Sequence, residues 1–228
     1  LKIAEEPEEK VGANLMVWWG GHGAAGVLAH ENNALLLERA TGSRSLSAIA
    51  KRGDDTEASE IICKVVHTLH RRTLTELPEL TPLDQWFADM HTCAAKYGGI
   101  LSLCAETIHA LLSSPQDVVV LHGDIHHNNI LDFDDRGWLA IDPKGLIGER
   151  GFDYANMFCN PDHETASAPG RLAKQSAVVS KAAGLNSKRL LQWVLAWAGL
   201  SAIWSFNDGF EKEMDLYIAE IAAVELRK

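Results

Sequence analysis

The chain has 228 residues, 46% hydrophobic and 23% charged, which excludes disorder and collagen-like repeats and allows one large core or two modest ones. Its 21 basic and 31 acidic side chains leave a net charge of −10, which argues against nucleic acid as the main partner and suits a cationic small molecule better. No apolar run reaches the roughly 18 residues of a membrane helix, and the nearest, residues 194–203, is interrupted by Gly199 and Ser201. Cys63, Cys93, Cys104 and Cys159 form no CxxC pair, so a reduced, cytoplasmic protein is expected rather than a disulfide scaffold or zinc ribbon.

Residues 1–40 read as mixed and sheet-forming. Residues 1–3 are strand-like, and because the chain opens on Leu-Lys-Ile-Ala, an upstream portion is expected. Residues 5–10 are acidic and helix-favouring, with Pro7 in the first turn, and residues 15–19 are an apolar run before a glycine cluster. Residues 27–30 and 34–39 read as a hairpin around Asn32-Asn33. Amphipathic helices are then expected over 55–71, 83–96 and 100–112, followed by a buried strand at 117–121. Strands at 130–133 and 138–141 flank the turn Asp134-Asp135-Arg136-Gly137, and Gly145, Gly148 and Gly151 mark a loop. Three further helices are expected over 171–183, 187–206 and 210–227.

Gly21-His-Gly23-Ala-Ala-Gly26 matches the dinucleotide fingerprint GxGxxG but lacks its context. A helix should follow, with an acidic residue some 20 positions on. A hairpin pattern follows instead, so these glycines are read as a structural loop.

The informative segment is Leu121-His122-Gly123-Asp124-Ile-His126-His127-Asn128-Asn129-Ile, with Ile141-Asp142-Pro143 downstream. Asn129 stands at the start of one hairpin strand and Asp142 at the end of its antiparallel partner, so the two are neighbours, and Asp124 lies on the loop feeding that hairpin. Hard oxygen donors in this arrangement suit Mg²⁺. The spacing H-x-D-x4-N with a strand-end Asp is that of a kinase catalytic loop, where the first Asp accepts a hydroxyl proton and the Asn and second Asp hold the metal. His122 is read as orienting the loop.

HGD in place of HRD, and Asp-Pro in place of DFG, resemble the aminoglycoside phosphotransferase branch of the protein-kinase-like fold. The longer stretches 121–130, 137–149 and 151–158, with Trp18-x-Gly20-x-x-Gly23-Ala24 and Leu35-Leu-Leu-Glu38-Arg39, resemble the streptomycin 6-phosphotransferase and hydroxyurea phosphotransferase family. The resemblance implies an α+β, bilobal fold. Residues 1–40 would be the remainder of a small β lobe whose upstream strands and glycine-rich loop are missing. Residues 41–228 would be a mainly helical lobe holding a catalytic β-hairpin. It implies ATP and Mg²⁺ as cofactors, with Asp124 catalytic and Asn129 and Asp142 on the metal. Lys2 would clamp the phosphates, and Glu9 would pair with it, Glu8 being a close competitor. Residues 37–40, with Glu38, Arg39 and Ala40, would be the hinge that meets adenine, and Asp153 would be a structural, helix-capping acid.

On the acceptor side, His126, Trp204, Asp208 and Glu211 are the candidate binding residues. The acids at 208, 211, 213, 215 and 220 form either a solvated helix face or a rim for a cation. Trp193, Trp197 and Trp204 share a helical face, which is usually core, although Trp204 stands at the helix end. Asp132, Asp134 and Asp135 are read as turn acids. The expected activity is phosphoryl transfer from ATP to a hydroxyl of a small cationic acceptor, an aminoglycoside such as streptomycin foremost. The alternatives are a kinase of a choline-, homoserine- or sugar-like metabolite, a zinc hydrolase using His122, Asp124, His126 and His127, and a degenerate binding module.

Overall fold

A computed structural model describes residues 1–72, 74–207, 209 and 213–228, apart from the side chains of His91 and Glu213. Gly12, Ala13, Leu15, Met16 and Trp19 are buried at spacings that fall on one side of a helix, and this decides the first departure from the sequence reading. The acidic stretch and the apolar run join into one helix, α1 (Pro7–Trp19), with Pro7 in the first turn and Gly20 closing it at a left-handed φ of 57°. Around α1 lies a sheet of β1 (Lys2–Ile3), β2 (Val27–Glu31) and β3 (Ala34–Leu37) in the order β1-β3-β2, all antiparallel, with Lys2 opposite Leu35. Residues 20–26 form a loop against the catalytic hairpin, where Ala140 N–H donates to Gly23 O and Ala25 N–H to Ala140 O, both at 2.9 Å.

Gly12 is where α1 touches the segment after Asp142. A Cβ there would stand 1.9 Å from Pro143 O, so only glycine permits this approach. We expect Gly12→Ala to cost about 1–3 kcal/mol by overpacking, read as a lowered urea midpoint. An unchanged midpoint would show that the two segments part freely.

The remaining chain is mainly helical. It runs through α2 (Leu46–Ile49), a π turn at Ala50–Asp54 and α3 (Asp55–His70), which buries Ile62, Val65, Val66 and Leu69. A short β4 (Thr81–Pro82) precedes α4 (Leu83–Trp86), α5 (Ala88–Tyr97) and α6 (Ile100–Ser113). The single helix expected over 83–96 is thus broken at Phe87, which leaves helical geometry at φ −94° and ψ 12°. Its buried ring packs edge-on to Phe152 and tilted against Trp193, a tertiary contact that outweighs helix continuity.

β5 (Val118–Leu121) leads into the catalytic loop, after which β6 (Ile130–Asp132) and β7 (Trp138–Ala140) form the expected hairpin. The glycine-marked segment expected as a loop is largely a strand, β8 (Leu146–Glu149), placed centrally in the order β4-β8-β5. Its glycine serves close packing: a Cβ on Gly148 would stand 2.5 Å from Leu83. α7 (His163–Ala166), α8 (Arg171–Ala183), α9 (Ser187–Asn207) and α10 (Glu213–Glu225) complete the chain, and α9 is buried along most of its length. Among the described residues no helix is long and apolar enough to cross a membrane.

Asp132 is more than a turn acid. It is buried, and its carboxylate accepts from Arg44 Nε and Nη2, both at 2.8 Å. The Arg44 guanidinium holds its carboxyl down to about 2. Gly42 N–H also donates to Asp132 O, so the link after β3 is tied to the hairpin.

Candidate active site

The loop between β5 and β6 is built around a histidine that donates and accepts at once. His122 Nε2 lies 2.8 Å from Ile141 O, and Nδ1 accepts from Asp124 N–H at 3.2 Å, a combination that requires the neutral Nε2–H tautomer. Burial pushes its pKa down in the same sense, and the ring stacks on Trp19 with centroids 6.0 Å apart. Gly123 adopts φ 87°, and a Cβ would meet Leu146 at 2.8 Å, so the middle residue of HGD must be glycine.

Asp153 is the loop's anchor. Its carboxylate accepts from His122 N–H at 2.9 Å and Gly123 N–H at 2.8 Å, and lies 2.8 Å from His70 Nε2. The resemblance assigns it to helix capping; its geometry is that of a buried clamp on the catalytic loop.

The loop presents Asp124 as an oriented carboxylate. Oδ1 accepts from Asn156 Nδ2 at 2.7 Å and Oδ2 from Asn129 Nδ2 at 3.1 Å. Asn129 is also tied to Asp124 O at 2.9 Å, and Ile141 N–H donates to Asn129 O at 2.9 Å, so Asn129 and Asp142 emerge at one hairpin end. Asp142 sits at a left-handed φ of 61°, which disfavours a non-glycine residue and is kept by its surroundings. Asn129 Oδ1 and Asp142 Oδ2 accept no hydrogen bond among the described residues, leaving two hard oxygens for a cation such as Mg²⁺.

Lys2 reaches this end from β1. Its ammonium pairs with Asp142 and lies 3.3 Å from Glu9 Oε1. Glu9 also accepts from the Glu5 and Glu6 amides, and these with Lys2 hold its pKa down. Glu8, the competitor for Lys2, instead bonds Lys144 at 2.9 Å. At the expected hinge, Glu38 N–H donates to Gly26 O, and its carboxylate accepts from Gly26 N–H and pairs with Arg136. The backbone groups of Arg39 and Ala40 have no hydrogen bond among the described residues.

Asp124 opens onto a cavity of about 620 Å³. Trp86, Trp197 and Trp204 line it together with Ser201, Asn156, Asn160 and Asn207, and Glu8, Lys144 and His126 complete its charged and titratable wall. Trp86 and Trp204 meet edge to face at 5.3 Å. Of this lining, His126 and Trp204 stood out in the sequence as acceptor-site candidates, and Gly123, Asp124 and Glu8 for other roles. Trp86 falls within the amphipathic helix expected over 83–96 and Trp197 on a helical face that is usually core, while Asn156 and Asn160 carry no motif of their own. Asp208 and Glu211 lie outside the described residues. Of the other rim acids, Asp215 is buried and accepts from Ser201 Oγ at 2.7 Å, while Glu220 faces a separate depression with His163 and Tyr217. The expected rim is therefore not formed by these two.

The rival zinc set does not converge. Both His122 nitrogens are committed to backbone, and His127 is buried 4.0 Å from Asp55 Oδ1 with neither ring nitrogen hydrogen-bonded among the described residues. No three His, Cys, Asp or Glu side chains among the described residues are grouped to share a metal.

Burial pushes His127 from 6.5 to about 4. Below pH 6.5 the unfolded chain takes up a proton that the folded one refuses, so this contribution is full above 6.5 and is lost as the pH falls toward 4. The loss amounts to roughly 3 kcal/mol. His127→Phe is expected to flatten that part of the pH dependence, with urea midpoints at pH 7 and pH 5 as the measurement. An equal acid loss in the variant would assign it to other groups.

A hairpin that gathers Asp124, Asn129 and Asp142 opposite a strand lysine belongs to the protein-kinase-like fold, and solved structures agree. A choline/ethanolamine kinase family protein from Mesorhizobium loti superposes with a TM-score of 0.67 at 14% identity, covering 99% of this chain and 80% of that one. The aminoglycoside phosphotransferase APH(3'')-Id from Streptomyces rimosus gives 0.62 at 19% identity, over 87% and 83%. The family model for aminoglycoside/hydroxyurea antibiotic resistance kinases matches residues 1–209. A streptomycin 3''-kinase of Klebsiella pneumoniae is 47% identical over 92% of this chain and 80% of its own length. A streptomycin 6-kinase of Streptomyces griseus is 30% identical over 92% and 71%. The chain belongs to the aminoglycoside/hydroxyurea antibiotic resistance kinase family, and with it to the phosphotransferases.

Proposed function

We propose that this protein transfers the γ-phosphoryl group of ATP to a hydroxyl of streptomycin or a closely related cationic aminoglycoside. The observation that carries this reading is the cavity itself, in which an oriented carboxylate, Asp124, shares one space with three tryptophans. Aromatic faces and edges accommodate both the apolar rings and the cationic groups of such an acceptor. Residues 1–40 then serve the nucleotide as a small lobe, and residues 41–228 supply the catalytic groups and the acceptor site. Cys63, Cys93 and Cys104 are free thiols, which fits the reducing cytoplasm where ATP is at hand.

Asp124, its two oxygens held by Asn129 and Asn156, accepts the proton of the acceptor hydroxyl as that oxygen bonds to phosphorus and ADP leaves. Lys2, positioned by Glu9, neutralises phosphate charge. Asn129 Oδ1 and Asp142 Oδ2 would hold Mg²⁺, which when bound screens the phosphates and supports the developing charge. The 3''-hydroxyl is the proposed acceptor rather than the 6-hydroxyl, because the relative named a 3''-kinase stands at 47% identity and the one named a 6-kinase from Streptomyces griseus at 30%.

The test is incubation of the full chain with Mg·ATP and streptomycin, other aminoglycosides, hydroxyurea or choline. Products are identified by mass spectrometry and the ester position by NMR. A streptomycin 3''-phosphate supports the proposal, a 6-phosphate corrects the position, and the absence of any aminoglycoside product overturns it.

A further inference from the structure

The cavity proposed for a cationic acceptor has a lysine in its wall. Lys144 lines it beside Gly123 and Asp124, and it carries the one ammonium among the described lining residues. Its partner Glu8 stands in the same wall at 2.9 Å, so this ammonium is held in place at the cavity edge next to Asp124. The backbone fixes the segment that carries this lysine. Lys144 N–H donates to His122 O at 2.7 Å, which ties the residue to the loop that presents Asp124. Gly145 packs so closely under α1 that a Cβ would stand 2.4 Å from Val11, which leaves this segment little freedom.

Asp142 therefore has two lysines near it with matched tethers, Lys2 paired with it from β1 and Lys144 two residues downstream. Lys2 is held by Glu9 and Lys144 by Glu8, consecutive acids in the first turn of α1. We infer that Lys144 is a second phosphoryl-binding cation, which meets the terminal phosphate of the nucleoside triphosphate from the acceptor side of Asp142 while Lys2 serves the phosphates from β1. The inference rests on the kinase reading above and adds to it a residue that takes up charge on the transferring group. An ammonium has three donors, so Lys144 can keep Glu8 and still reach a phosphoryl oxygen.

The experiment uses the full chain and compares Lys144→Met and Lys144→Arg with the unaltered protein. Calorimetry without acceptor measures the affinity for Mg·ADP and for a non-hydrolysable Mg·ATP analogue, and steady-state kinetics measure kcat and the KM for streptomycin. For Lys144→Met we expect unchanged ADP affinity, about tenfold weaker binding of the triphosphate analogue, and kcat lower by about 10²-fold at unchanged streptomycin KM. Lys144→Arg, which keeps the charge, should recover most of the analogue affinity. Lys144→Gln, which keeps a polar head for Glu8, replaces the methionine variant should circular dichroism show that one unfolded. Equal losses for ADP and the analogue, or an effect confined to the streptomycin KM, would overturn the inference. If the unaltered protein binds nucleotide but phosphorylates no aminoglycoside, the proposed function fails, while the contrast between ADP and analogue still decides the role of Lys144.

Discussion

Asp124→Asn is expected to lower kcat for streptomycin phosphorylation by about 10²–10⁴-fold while leaving the fold intact. The substitution preserves shape and removes two properties. An amide cannot take a proton from the acceptor hydroxyl. Asn156 and Asn129 also each donate to one carboxylate oxygen, at 2.7 and 3.1 Å, so an amide in that place sets one donor against another. Stability should change little, because no backbone amide depends on either carboxylate oxygen and the side chain faces the cavity. Steady-state rates together with a thermal midpoint separate the two effects. Turnover close to that of the unaltered protein would remove Asp124 from the role of base. Asp142→Ala should abolish turnover as well by deleting a metal donor, although Glu9 still partners Lys2.

Asp153→Ala is expected to give the largest loss of stability, about 3–5 kcal/mol, by analogy with breaking a buried ion pair. Its carboxylate is buried and is the acceptor for two buried loop amides, those of His122 and Gly123, besides its bond to His70. Truncation leaves those donors without a partner in a dry interior, where each orphaned group costs roughly 1–3 kcal/mol. Asp153→Asn keeps one acceptor oxygen and should lose less. Urea denaturation of the three proteins gives the order directly, and a midpoint for Asp153→Ala equal to that of the parent would show that water replaces the clamp. Because the same amides shape the approach to Asp124, the alanine variant should lose activity even at temperatures where it remains folded.

The gathering of Asp124, Asn129 and Asp142 was legible because it is a local event. Thirteen peptide bonds separate the ends of one hairpin, and strand pairing brings such ends together whatever surrounds them. The ion pair of Lys2 with Glu9 was legible in kind, but the choice between Glu8 and Glu9 was not. Neighbouring positions on a helix differ by about 100° in direction, and only the placement of α1 decides which lysine each one meets. The acceptor cavity was the least legible part. Trp86 falls in the expected helix over 83–96, an apolar pattern that predicts core, yet it stands on the cavity wall edge-to-face with Trp204, a contact between helices far apart in the chain.

By itself the sequence determined the elements whose signal is local and periodic: the long helices, the tight hairpin, the loop that feeds it and the oxygen donors at its end. Tertiary structure decided what depends on contacts between segments far apart in the chain. The glycine-marked segment at 146–149 became a strand because β5 and β4 supply its partners, and Asp132 became a buried counter-ion because Arg44 reaches it. Lys144 joined the cavity because His122 and Glu8 hold it there. Backbone propensity and periodicity act over a few residues, whereas burial and ion pairing are set by which surfaces the whole chain brings together.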